Sequence, residues 1–163
     1  MSHLHSTRND LPAATRERVI ALLNQNLADT LDLQLQAKQA HWNVKGPSFI
    51  ALHELFDKVA DVAEAGADLL AERITALAGT AEGTLQVLAK RSRLAPYPLD
   101  IYRGRDHVAW LADALSAVGK SARLAIDECN KIGDQDTADL FTEISLDLDK
   151  QLWFVEAHVQ AEF

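Results

Sequence analysis

The chain has 163 residues, 48% of them apolar and 25% charged, which is enough for one globular domain with a core of its own. No run reaches the roughly 18 to 20 apolar residues of a membrane span, and the start lacks the apolar stretch of a secretory signal, so a cytoplasmic protein is expected. With 24 acidic against 16 basic side chains the net charge is -8, which opposes general attraction to nucleic acid and suits a protein that gathers cations.

Residues 1–10 read as a short tail and 11–163 as a single domain. Along the domain, apolar residues recur at spacings of three and four. Ile20, Leu23, Leu27, Leu31 and Leu35 stripe a first helix running from the Pro12 region towards Gly46. After the Gly46-Pro47 break, Ser48 is placed as the N-cap of a second helix carrying Leu52, Leu55, Phe56, Val59, Leu70, Ile74 and Leu77, bounded by Gly79 and Gly83. Between Thr84 and Lys90 there is room for one short helix, and then Pro96 and Pro98 enforce an extended connection. A third long helix is expected from about Arg105 to Lys131, with Val108, Leu111, Leu115, Val118, Ala122 and Ile126 on its stripe and Gly133 as its stop. The fourth starts near Asp136 and carries Leu140, Ile144, Leu148, Leu152, Val155 and Val159. Four long helices whose second and third members are joined by a long link predict an all-α, ferritin-like four-helix bundle with a short extra helix in that link. The single cysteine, Cys129, is read as a packing residue.

Histidines and carboxylates gather in one window: His41 at the end of the first helix, then His53, Asp57, Asp68 and Glu72 on the second. Imidazole with carboxylate suits iron and similar divalent metals, and the oxygen share is too high for a structural zinc site. On an ideal helix the last four residues fall within a sector of roughly 100 degrees, so they share a face. Asp57 and Asp68 are nevertheless about 16 Å apart along the axis, beyond the reach of one centre. A second copy of the helix, packed antiparallel across a twofold axis near Val62 and Ala63, brings His53 and Asp57 of one chain opposite Asp68 and Glu72 of the other. Ala60, Ala63, Ala65, Gly66 and Ala67 are expected to let the two copies approach. His158 and Glu162 share the i,i+4 spacing but have no complementary half, and are read as solvated. Lys38, nearly one turn before His41, is placed to balance the carboxylates in the absence of metal.

At these residues the sequence resembles the Dps family, the DNA-binding proteins from starved cells. The matching blocks are H-W-N-V-K-G from His41 to Gly46, L-H-E-L-F-D from Leu52 to Asp57 and D-L-L-A-E-R from Asp68 to Arg73. Y-P-L-D-I from Tyr97 to Ile101, D-T-A-D from Asp136 to Asp139 and D-L-D-K-Q-L-W-F from Asp147 to Phe154 extend the likeness over nearly the whole chain. The Glu-x-x-His of conventional ferritins is absent from the sequence. The resemblance implies a dodecameric homo-oligomeric shell, cytoplasmic or associated with the nucleoid. It places ferroxidase centres at the twofold interfaces, with His41, His53 and Asp57 from one subunit and Asp68 and Glu72 from its neighbour. It further implies iron as the metal, hydrogen peroxide as the preferred oxidant, a stored ferric mineral, protection from oxidative damage, and Trp42 near the centre.

Asp134, Asp136, Asp139 and Glu143 crowd the start of the fourth helix. Asp136 is expected to cap it, and the resemblance places Asp134, Asp139 and Glu143 around a threefold channel that draws ferrous ions inward. A nucleoid-compacting DNA-binding protein with secondary metal chemistry is the alternative. It is weakened by a first decade of residues with Arg8 as the one firm positive charge. Lys90, Arg91 and Arg93 form the one compact basic cluster and are read as a solvated loop.

Overall fold

In a computed structural model the structure describes residues 4–161. The helices are α1 (Ala13–Asn43), α2 (Phe49–Ala76), α3 (Leu85–Arg91), α4 (Gly104–Ile132) and α5 (Gln135–Glu156). Two antiparallel hairpins, α1 with α2 and α4 with α5, face each other through α1 on α4 and α2 on α5. The long link carries the short α3, as the four-helix reading requires. Among the described residues no helix is long and apolar enough to cross a membrane.

The core is the set of inward positions of the four long helices, among them Leu23, Leu27, Phe56, Leu70, Leu111, Leu115 and Phe141. Leu35, assigned by its spacing to the α1 stripe, is 49% exposed. Cys129 is buried as a packing residue, and burial pushes its thiol up to about 12. The segment before α1 lies against the bundle. The His5 N–H donates to the Ala78 carbonyl at 2.9 Å, and Leu4 and Leu11 pack on the core.

Buried polar residues on α1 include Asn24, Asn26, Asp29, Thr30 and Gln36. The link explains most of them, because irregular backbone laid on a helix needs partners for its amides and carbonyls. Asn24 donates to the Thr80 carbonyl and accepts from the Glu82 N–H; Gln25 donates to the Arg91 carbonyl, and Gln36 to the Ala95 carbonyl. Asp29 accepts from the Arg93 backbone N–H at 2.8 Å and from its guanidinium. The basic cluster is therefore not simply a solvated loop. Lys90 and Arg91 lie in α3; Arg93, though exposed, is bound to Asp29 and Ser121, Arg91 is half-buried against Glu82, and Lys90 is exposed.

The helix ends differ from expectation in two places. Ser48 occupies the N-cap position of α2 but makes no side-chain cap bond. At α5 the cap is Asp134, not Asp136. Gly133, at φ 91°, reverses the chain in the left-handed region, which sets Asp134 one residue ahead of the helix. Its carboxylate accepts from the Thr137 N–H at 3.0 Å and the Thr137 hydroxyl at 2.6 Å. Arg73 of α2 closes the ring, donating to Asp134 at 2.9 Å and to Thr137 at 2.8 Å. Asp136 is 87% exposed and 3.9 Å from Arg73. Stranding one member of a buried pair costs about 3 kcal/mol or more, so Asp134→Ala is expected to lose that amount. Asp136→Ala should lose less than about 1 kcal/mol, as for an exposed pair. Urea unfolding at matched protein concentration measures both; equal losses would restore the cap to Asp136.

Candidate metal centre

The last turn of α1 and the first three turns of α2 bring His41, His53 and Asp57 close to one another. The α1–α2 turn is short and the two helices are antiparallel, so the end of one lies beside the start of the other. The imidazoles stack, with centroids 3.7 Å apart and planes 20° from parallel. Each ring is held by the other residue's main chain: His41 Nδ1 lies 2.7 Å from the His53 carbonyl oxygen, and His53 Nδ1 lies 2.8 Å from that of His41. A carbonyl only accepts, so both Nδ1 atoms carry hydrogen, and in the neutral rings both Nε2 atoms keep their lone pairs. That is the tautomer a metal-ligating imidazole needs, fixed here by backbone rather than by a second-layer carboxylate.

Asp57 lies beside the pair, its Oδ1 3.8 Å from His41 Nδ1. The Lys38 ammonium sits on the same oxygen in a short ion pair. That hydrogen bond, with the nearby His41, Lys38 and His53, holds the Asp57 carboxyl below the usual carboxylate range. Lys38 thus occupies the place of a cation against this carboxylate. Phe49, 40% exposed, flanks His53 with its ring centroid 5.1 Å away. Trp42 is 65% exposed, so it is no core residue of this bundle.

Asp68 and Glu72 do not join this cluster. They lie exposed further along α2, and among the described residues no three His, Cys, Asp or Glu side chains of one chain assemble around a common point. A groove of about 720 Å³ runs past Asp68 between α1 and α2, lined also by Leu31, Asp61, Glu64 and Ala65. The small residues expected to face a second copy mostly face inward. Ala60, Ala63 and Ala67 are in the core, and Gly66 packs on Ile144 and Thr30 of its own chain. Only Ala65 is exposed, because the core stripe and the ligand stripe are adjacent sectors of one helix.

Of the acids at α5, Asp139 and Glu143 are exposed, whereas Asp134 is consumed by the cap and Arg73. This removes Asp134 from the channel-lining set, since a carboxylate buried in an ion pair presents no free charge to solvent. His158 is exposed, its Nδ1 2.9 Å from the Phe154 carbonyl; Glu162 lies outside the described residues. Sequence reasoning did not find the two carbonyls that orient the histidines, because main-chain acceptors leave no residue signal.

A model of the ferritin-like domain family matches residues 20–162. The DNA protection during starvation protein of Agrobacterium fabrum is 49% identical over 156 residues, covering 96% of this chain and 96% of that protein. Among solved structures, Dps from Microbacterium arborescens in the high iron form superposes with a TM-score of 0.86 at 30% identity, covering 96% of this chain and all of that one. DpsA14 from Streptomyces coelicolor gives 0.90 at 35% identity, over 98% of this chain and 95% of that one.

Removing Lys38 should release Asp57. Lys38→Met is expected to raise the Asp57 titration midpoint towards the ordinary Asp value, followed by carboxyl carbon NMR. A depressed carboxyl adds stability that is present above its unfolded value and is lost as pH falls through the folded one. The variant should therefore lose this part of the acid-side pH dependence. An unmoved midpoint would deny Lys38 its role.

Proposed function

The chain belongs to the ferritin-like family, on its Dps branch, and from that premise we propose that it is a ferroxidase and iron-storage protein with centres shared between subunits. The observation that carries this reading is the reciprocal locking of His41 and His53, which leaves both Nε2 lone pairs free of the backbone, with Asp57 Oδ1 3.8 Å from His41 Nδ1. Three ligands of that kind suit ferrous iron, and Asp68 and Glu72 from a neighbouring chain supply the remaining oxygen donors. The active species is a homo-oligomer, a dodecameric shell in the cytoplasm, with α2 at the twofold contact. The high iron form named for the Microbacterium arborescens relative supports iron as the metal.

Ferrous iron is the substrate. Two ferrous ions each give one electron to one hydrogen peroxide, whose O–O bond breaks to two hydroxides, so no hydroxyl radical is released. The ferric product is stored as mineral inside the shell, which accounts for protection from oxidative damage. Lys38 leaves Asp57 when the metal arrives, and Trp42 stands next to His41 at the edge of the centre. DNA protection, in the name of the Agrobacterium fabrum relative, is the second reading. The ion pairs that occupy Arg91 and Arg93 argue against that cluster as a phosphate contact.

Mixing mutant chains tests the shared centre. His53→Ala and Glu72→Ala should each abolish most peroxide-driven ferrous oxidation. When the two are dissociated, mixed and reassembled, a mixed dimer concentrates both defects in one centre and leaves the other with all five ligands. Random pairing makes about half the dimers mixed, so about a quarter of centres should recover under twofold symmetry. No recovery in shells shown by mass spectrometry to be mixed would overturn the shared centre.

Asp139 and Glu143 are proposed to line the route by which ferrous ions enter, drawing them by charge. Asp139→Asn should slow uptake into the shell more than it slows oxidation at centres already loaded, as stopped-flow absorbance separates the two. Equal slowing would remove Asp139 from the route.

A further inference from the structure

Residues 92–103 cross the bundle without regular structure; besides Ser92 donating to Asp32 and Arg93 to Ser121, four polar contacts outside the segment's own turns hold them there. Arg93 is bound to Asp29, the Ala95 carbonyl accepts from Gln36 at 3.1 Å, and the Tyr102 carbonyl accepts from the Lys45 N–H at 2.8 Å. The fourth is the Tyr97 hydroxyl, 2.6 Å from His107 Nδ1 on α4. Of these, only the last contains a group that titrates near neutrality.

His107 is 1% exposed, in an aromatic setting. Tyr97 stacks on it at 6.0 Å and 17°, Phe56 of α2 tilts against it at 6.2 Å, and Trp110 meets Tyr97 edge-on. Its Nε2 is buried with no hydrogen-bond partner among the described residues. A neutral imidazole fits this setting, because Nδ1 can accept the phenol hydrogen and only one ring N–H exists. A protonated ring does not fit. Both nitrogens become donors, the phenol must turn to accept, and a charged N–H faces apolar surroundings.

We propose that the Tyr97–His107 pair is an acid-operated latch: protonation of His107 releases the link between α3 and α4 from the bundle. The charged groups that bear on the ring act in opposite senses. Lys45, at the α1–α2 turn, opposes the imidazolium; Asp106, on α4 and itself bound to Arg103, favours it. Burial, the largest influence, disfavours it, and Tyr97 stays neutral because burial pushes its phenol up. The latch has its full strength above the unfolded histidine value near 6.5 and weakens as pH falls from there towards the folded value. Release exposes a link that already presents Leu99, 81% exposed, and Tyr102, 58% exposed, at the surface.

Hydrogen exchange of the whole protein, read as protection factors so that intrinsic rates cancel, tests the latch. Between pH 8 and pH 5.5 the amides of 92–103 are expected to lose protection several-fold while those of the middle of α4 do not. His107→Asn places a non-titrating acceptor near the Nδ1 position and should make the link's protection independent of pH. Tyr97→Phe should lower it at both pH values. Unchanged wild-type protection, or an undiminished pH dependence in His107→Asn, would overturn the proposal. Should His107→Asn fail to fold, the His107 ring resonance of the wild type decides: a titration midpoint that coincides with the loss of protection supports the latch, and one that does not removes it.

Discussion

A helix rises 1.5 Å per residue and does not bend to suit its side chains. On α2 that rigidity sets His53 and Asp57 near one end and Asp68 and Glu72 near the other, all on one side. The first two gain His41 from the neighbouring helix; the second two gain nothing from their own chain. That division of the proposed ligands along one rigid rod is what makes the arrangement of copies part of the proposed chemistry. The proposed dimer contact, the groove beside Asp68 and the exposed Trp42 all take their meaning from it.

The half-site proposed for one chain is already organised by its own backbone and Lys38. Two main-chain carbonyls at the α1–α2 turn fix both imidazoles in the same tautomer, and Lys38 holds Asp57 ionised. A ligand set arranged in this way has little reordering left to do when a cation binds, which is the physical content of preorganisation. Lys38 also gives the carboxylate a partner that a divalent ion can displace, so Asp57 is not left unpaired beside two rings.

Further from the centre, the bundle is tied by polar contacts as well as by its core. The Arg73–Asp134–Thr137 ring joins the end of α2, one residue after Glu72, to the start of α5. Asp29 and its neighbours on α1 hold the link. These contacts use residues whose sequence pattern suggests solvent, and they place the exposed acids Asp139 and Glu143 by fixing where α5 begins.

Legible along the chain were the four long helices, the short helix in the link, and the five proposed ligand positions as two incomplete halves. Those features follow from spacing along a single chain: the three-and-four recurrence of apolar residues, the glycine and proline breaks, and the fixed rise of α2 are all local. Matters that depend on what lies across from a residue were settled by packing. It made Asp134 rather than Asp136 the cap, because Gly133 turns the chain and Arg73 arrives from another helix. It turned Ala60, Ala63, Gly66 and Ala67 inward and bound Arg91 and Arg93 to Glu82 and Asp29. Charge and size along a sequence record what a residue offers, whereas its partner comes from another segment of the chain, and no local periodicity encodes that pairing.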